Sequence, residues 1–162
     1  MAAFAMCTGN GGGGGALKHL SLQRNRVGDD GAASLAAALA GGALPALELL
    51  YLGENEVGDA GATALAEALR GGACPKLRRL GLQANRLGDG ALEALAAALR
   101  AGAMKGGEFL YVGGNPFTPA GEARDALCES LRGGPLQCHF GWPPPKTKSF
   151  LITPPDRYAR AW

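Results

Sequence analysis

The sequence predicts an α/β solenoid, a short horseshoe with a parallel β-sheet on its concave side and α-helices on its convex side. Three observations predict it. Leucine and asparagine recur at a fixed interval of thirty residues: Leu20, Leu50, Leu80 and Leu110; Leu22, Leu52 and Leu82, continued by Val112; Asn25, Asn55, Asn85 and Asn115. Each unit also has two halves of different period. The Leu-x-Leu half alternates as a half-buried strand does, whereas Leu35 and Leu39, or Leu65 and Leu69, lie four apart on one helix face. Finally, a lone strand–helix unit cannot bury its own apolar side, so the units must stack. Strands pack about 4.8 Å apart and helices about 8–10 Å, so the stack bends with its strands inside.

The elements follow in order. Residues 1–16, rich in Gly and Ala, read as a flexible segment, Gly11 to Gly15 being linker-like. Four repeats follow, at 17–46, 47–76, 77–106 and 107–132. Asp29, Asp59 and Asp89 stand at or near the first turn of each helix, where an acid suits capping and the helix dipole. In the fourth unit Thr118-Pro119 fits the same place, a hydroxyl cap followed by proline at the first helical position. Glycine pairs at 41–42, 71–72 and 133–134 end the helices where a left-handed residue is wanted. Each framework Asn falls where the chain turns, able to bond backbone groups that lose sheet partners. Residues 133–162 form a cap and a Pro-rich basic tail. Leu136, Cys138, Phe140 and Trp142 alternate there as a short closing strand would.

The pattern LxxLxLxxN followed by xLGDxGxxxLxxxL resembles the leucine-rich repeat, in its ribonuclease-inhibitor-like subtype, over residues 17–132. That subtype also occurs in Ran GTPase-activating protein and in NOD-like receptors. The resemblance implies a surface for binding other proteins. The sequence departs from the pattern at Gly107, which replaces a Leu, and at Gly90-Ala91, which reverses the order of Ala60-Gly61. The last helix also gains two residues.

Composition excludes several functions. A formal net charge of +2 is too small to draw in nucleic acid or an anionic membrane, and no apolar run approaches the length of a membrane helix. The four cysteines lack CxxC spacing, and residues 1–16 lack the basic start and apolar run of a signal peptide. The expectation is a cytoplasmic protein with reduced thiols. Cys74 occupies the slot of Leu44 and Met104 and reads as a core residue. Cys128, Cys138 and His139 match no zinc-ligand spacing. His19 and His139 accompany no nucleophile in a familiar context, and GGGGGALK lacks the ending of a phosphate loop. The expectation is therefore no catalytic residue, no metal and no cofactor.

What remains is the outward row of each strand. His19, Leu49, Tyr51, Arg79, Gln83, Phe109 and Tyr111 are the candidate partner-binding residues, because the framework requires no aromatic there. The charges in the rows Lys18–Glu48–Arg78–Glu108 and Arg26–Glu56–Arg86 alternate in sign, which suits pairing between neighbouring strands. The function expected is non-enzymatic protein binding through the concave strands. The alternative is a regulatory repeat protein: either a GTPase-activating one, with Arg24, Arg26 and Arg86 as its cationic candidates, or a fragment of an innate sensor. Nothing in residues 1–16 looks able to shield Leu17, Leu20 and Leu22, so self-association through that edge is a further expectation.

Overall fold

The computed structural model describes residues 17–141. Strands and helices alternate: β1 (His19–Ser21), α1 (Asp29–Ala40), β2 (Leu49–Tyr51), α2 (Asp59–Arg70), β3 (Arg79–Gly81), α3 (Asp89–Arg100), β4 (Phe109–Tyr111), α4 (Glu122–Ser130) and β5 (Gln137–His139). The strands form one parallel sheet in chain order, with His19, Leu49, Arg79, Phe109 and Gln137 in register. The helices pack side by side on the other layer. This is the α/β solenoid that the thirty-residue interval predicts.

The core runs between the two layers. Leu50, Leu80 and Leu110 line up in one column at 0% exposure, and Leu52, Leu82 and Val112 form a second. Leu65, Ala66, Leu92, Leu95 and Ala96 close it from the helices, with alanine allowing near approach. Cys74 is buried in its expected slot.

Asparagine stitches the units together. The Asn85 side chain donates to the carbonyls of Leu52 (2.9 Å) and Leu82 (3.1 Å) and accepts from the Val57 amide (3.0 Å). Asn55 and Asn115 repeat this bridge to the preceding unit. Helices α1, α2 and α3 end in Schellman turns: after α1, Gly42 (φ +75°) donates to Leu39, and Ala43 donates to Ala38. Gly72 and Gly102 do the same.

The aspartates stand in the first turns of their helices, as expected, but their capping differs from the expectation. None caps its own helix, whose N-caps are Gly28, Gly58 and Gly88. Asp29 reaches forward instead, accepting from the amides of Gly58 (2.7 Å) and Gly61 (2.9 Å) at the start of α2. Asp59 likewise serves Gly88 (2.6 Å) and Ala91 (3.2 Å). These donors are the orphan amides of the next helix, so the cap is supplied across the junction. The reversed Gly90-Ala91 fits the same scheme, since a Cβ at Gly90 would lie 3.0 Å from the Asp59 carboxylate.

The fourth unit also corrects an expectation. Its helix begins at Glu122 behind an N-cap at Gly121, so Thr118-Pro119 is not the cap. Thr118 gives both its amide and its hydroxyl to Asp89, at 2.7 Å each, and so takes the place of Gly58 and Gly88. Gly107 has a packing reason: a Cβ there would meet the Met104 carbonyl at 2.8 Å and Leu136 at 2.9 Å. Leu136 fills the space that a leucine would take. The closing strand forms as β5, with Leu136 and Cys138 buried. Trp142, residues 1–16 and the tail beyond lie outside the described residues.

Candidate functional site: the strand face

Each strand contributes three residues, of which the middle one enters the core. The flanking residues stand on the open face in two rows. One reads His19, Leu49, Arg79, Phe109, Gln137; the other reads Ser21, Tyr51, Gly81, Tyr111, His139.

The structure gathers these residues unevenly. At the β3–β5 end, Phe109 and Tyr111 stack at 5.9 Å between centroids, and His139 packs on Tyr111 at 4.7 Å and on Phe109 at 5.4 Å. Arg79 lies over the Phe109 ring at 5.2 Å. Tyr51 belongs to the same surface because Gly81 leaves room: a Cβ there would stand 2.7 Å from the Tyr51 ring. The half-buried Leu49 is beside it. His19 is exposed on β1, away from the aromatic group.

Gln83 departs from its expected exposure. It is 6% exposed and lies flat across the sheet, where a Cβ on Gly53 or Gly81 would strike its amide group. Two glycines on neighbouring strands thus make a bed for it. Its Oε1 has no hydrogen-bond partner among the described residues, and neither do Gln137 Oε1 and His139 Nε2.

Charge on this face is mostly internal. Glu108 accepts from Arg79 at 3.1 Å and from Arg78. Burial raises the Glu108 pKa, but hydrogen bonds from Arg79 and Arg78 outweigh it and hold the carboxyl below the usual range. Lys18 pairs with Glu48 at 3.1 Å and Arg86 with Glu56 at 2.9 Å. The remaining strand-end contact is Arg24 with Glu54 at 3.1 Å, in place of an Arg26–Glu56 pair. Two of the three cationic candidates, Arg24 and Arg86, are therefore held by carboxylates of the neighbouring unit. Burial raises the Tyr111 pKa and lowers that of His139, so near neutral pH both are uncharged.

Sequence reasoning missed His139 and Gln137. The signal was present: if Leu136, Cys138 and Phe140 alternate inward, Gln137 and His139 must face outward on β5. Among the described residues no three His, Cys, Asp or Glu side chains gather as a metal site, and no helix is long and apolar enough to cross a membrane.

A stacked strand–helix array stitched by an asparagine ladder defines a leucine-rich-repeat solenoid. Comparison agrees: leucine-rich repeats are found at residues 17–36, 44–66 and 73–96. The fold is similar to the C-terminal domain of tropomodulin from Caenorhabditis elegans, with a TM-score of 0.64 and 19% identity over 78% of this chain and 74% of that one. It is also similar to the actin-binding site 2 of leiomodin-1, with a TM-score of 0.64 and 17% identity over 77% of this chain and 72% of that one. No curated protein matches the sequence significantly.

Proposed function

We propose that this chain is a non-enzymatic protein-interaction module that binds a partner protein through its strand face. Tyr51, Arg79, Phe109, Tyr111 and His139 form the centre of the contact, with Leu49 beside them. One observation carries the reading: a contiguous, half-open aromatic group with an arginine over it stands where the repeat framework needs only strand formers. Aromatic and arginine side chains are the usual anchors of protein contacts. Five strands span about 19 Å at the usual spacing, so the contact lies toward the small end of interface sizes.

The fold likeness to leiomodin-1 actin-binding site 2 makes actin the first partner to try. The test is pull-down, with actin and with cell extract, comparing wild type with Tyr51→Ala/Tyr111→Ala. Partners that wild type retains are lost from the double variant; undiminished capture overturns the strand face as the binding wall. The GTPase-activating alternative has weaker support, given the ion pairs at Arg24 and Arg86. A hydrolysis assay across a panel of small GTPases separates the two readings, and acceleration by the chain revives it.

A further inference from the structure

The middle of the strand face holds one more cation than its carboxylates neutralise. Arg78 and Arg79, neighbours at the start of β3, both pair with Glu108, Arg79 through its Nε at 3.1 Å. The carboxylate on the other side, Glu48, is taken by Lys18 at 3.1 Å. Among the described residues, three cations thus share two carboxylates here. The alternation of charge goes no further, because the position opposite Glu108 on the next strand is the buried Leu136. His139 and Tyr111 are uncharged near neutral pH and leave the balance as it is.

The surplus charge is held in a fixed place. Arg79 stands in register between Leu49 and Phe109, with its Cζ 5.2 Å from the Phe109 ring centroid. Glu108 engages its Nε, and the side chain is 39% exposed. A guanidinium has five N–H donors in a planar fork, so one engaged edge leaves another for a second carboxylate. Among the aromatic rings of this face, a charge without a full counter-ion is less well solvated than in open water.

The two layers of the molecule also differ in sign. Segments 17–27, 47–57, 77–87 and 107–117, which hold the first four strands, carry six cations and four carboxylates. The four helices carry nine carboxylates and three arginines. An acidic ligand is therefore drawn to the strand layer and repelled from the helix layer.

We infer that the strand face recognises an acidic segment of its partner protein, in which one Asp or Glu side chain flanked by apolar residues bonds the Arg79 guanidinium. This rests on the strand-face reading and adds to it the chemistry of the partner. The flanking apolar side chains have Leu49 and Tyr51 to one side of Arg79 and Phe109 and Tyr111 to the other. One surplus cation matches one carboxylate. A phosphate dianion asks for two, and the same surplus disfavours a basic segment.

The test titrates a blocked peptide, Ser-Phe-Glu-Phe-Ser, into the full-length chain, with Ser-Phe-Gln-Phe-Ser as its uncharged counterpart. The Arg79 Nε–H resonance and the ring resonances of Tyr51 and Tyr111 report binding. The glutamyl peptide moves all three and binds at least about fivefold tighter than the glutaminyl one. Added salt narrows that difference, and Arg79→Gln abolishes it. Equal affinity of the two peptides for the wild-type chain overturns the acidic partner and leaves the strand face standing. Absence of any shift at Arg79 overturns it too, and the strand-face reading is then decided by the pull-down alone. Two other results overturn the inference: displacement of the glutamyl peptide by inorganic phosphate, and a concentration-dependent Arg79 shift without peptide, which would put a second copy on this face.

Discussion

The first and third units carry nearly the same pattern, yet they live in different physical settings. Leu80 is 0% exposed between Leu50 and Leu110, while its counterpart Leu20 has a neighbour on one side and is half-open. Asn85 is 8% exposed and spans two units; Asn25 is exposed, and its side chain donates to Leu22 and Gln23 of its own turn. The difference teaches that a residue's contribution in a solenoid is set by how many neighbours it has, more than by its identity. Stability is approximately a sum over junctions.

Substitutions can break or sharpen that contrast. The largest effect belongs to the leucine column: Leu80→Ala lowers unfolding free energy by about 2–5 kcal/mol. Leu20→Ala lowers it by less than half as much, and urea denaturation of the two variants measures the ratio. Next come the asparagines. Asn85→Ala strands the Val57 amide, leaves the Leu52 carbonyl with only its Asn55 donor, and costs about 1–3 kcal/mol, whereas Asn25→Ala stays near the ~0.5 kcal/mol of a surface change. If the two asparagines prove equal, the bridging role fails.

The forward-reaching aspartates rank third. Asp59→Ala removes the cap from α3 and costs about 1 kcal/mol. The affected helix is the one after its own, so faster exchange at Gly88 and Ala91, not in α2, is the diagnostic result. Acid gives a smaller effect. The Thr118 hydroxyl and amide hold the Asp89 pKa below its ordinary value. A carboxylate depressed in the folded state contributes stability above its unfolded pKa and loses it as pH falls through the folded one. Thr118→Val should therefore flatten the acid limb of a stability–pH curve below about pH 4, the ordinary carboxylate range. The smallest change is expected at Glu48, whose pairing with Lys18 is solvent-screened. Glu48→Gln should leave the melting temperature unmoved.

The repeating framework was legible because burial selects leucine and asparagine at fixed intervals, and the interval shows in one chain. Direction was harder to read. An aspartate at the first turn looks the same whether it caps its own helix or the next, and only the spacing of Gly58 and Gly61 from Asp29 across the junction decides it. The start of α4 was misread because Thr-Pro is a good local start signal, and Asp89 claimed Thr118 first. On the strand face Tyr51, Phe109 and Tyr111 were found from their type. The burial of Gln83 was not, because it depends on Gly53 and Gly81, which sit thirty and two residues away in sequence.

Three thiols mark stations along the array. Burial pushes Cys74 up to about 11 and Cys138 higher than the ordinary thiol value, while Cys128 on α4 is only partly covered and is raised less simply, by burial offset by Arg124. A thiolate is the form that alkylates. Iodoacetamide should therefore mark Cys128 first and reach the other two only when their segments open, with Cys7 replaced by serine to clear the background. The order in which Cys138 and Cys74 then react would time the fraying of the closing strand against the breathing of the middle of the molecule.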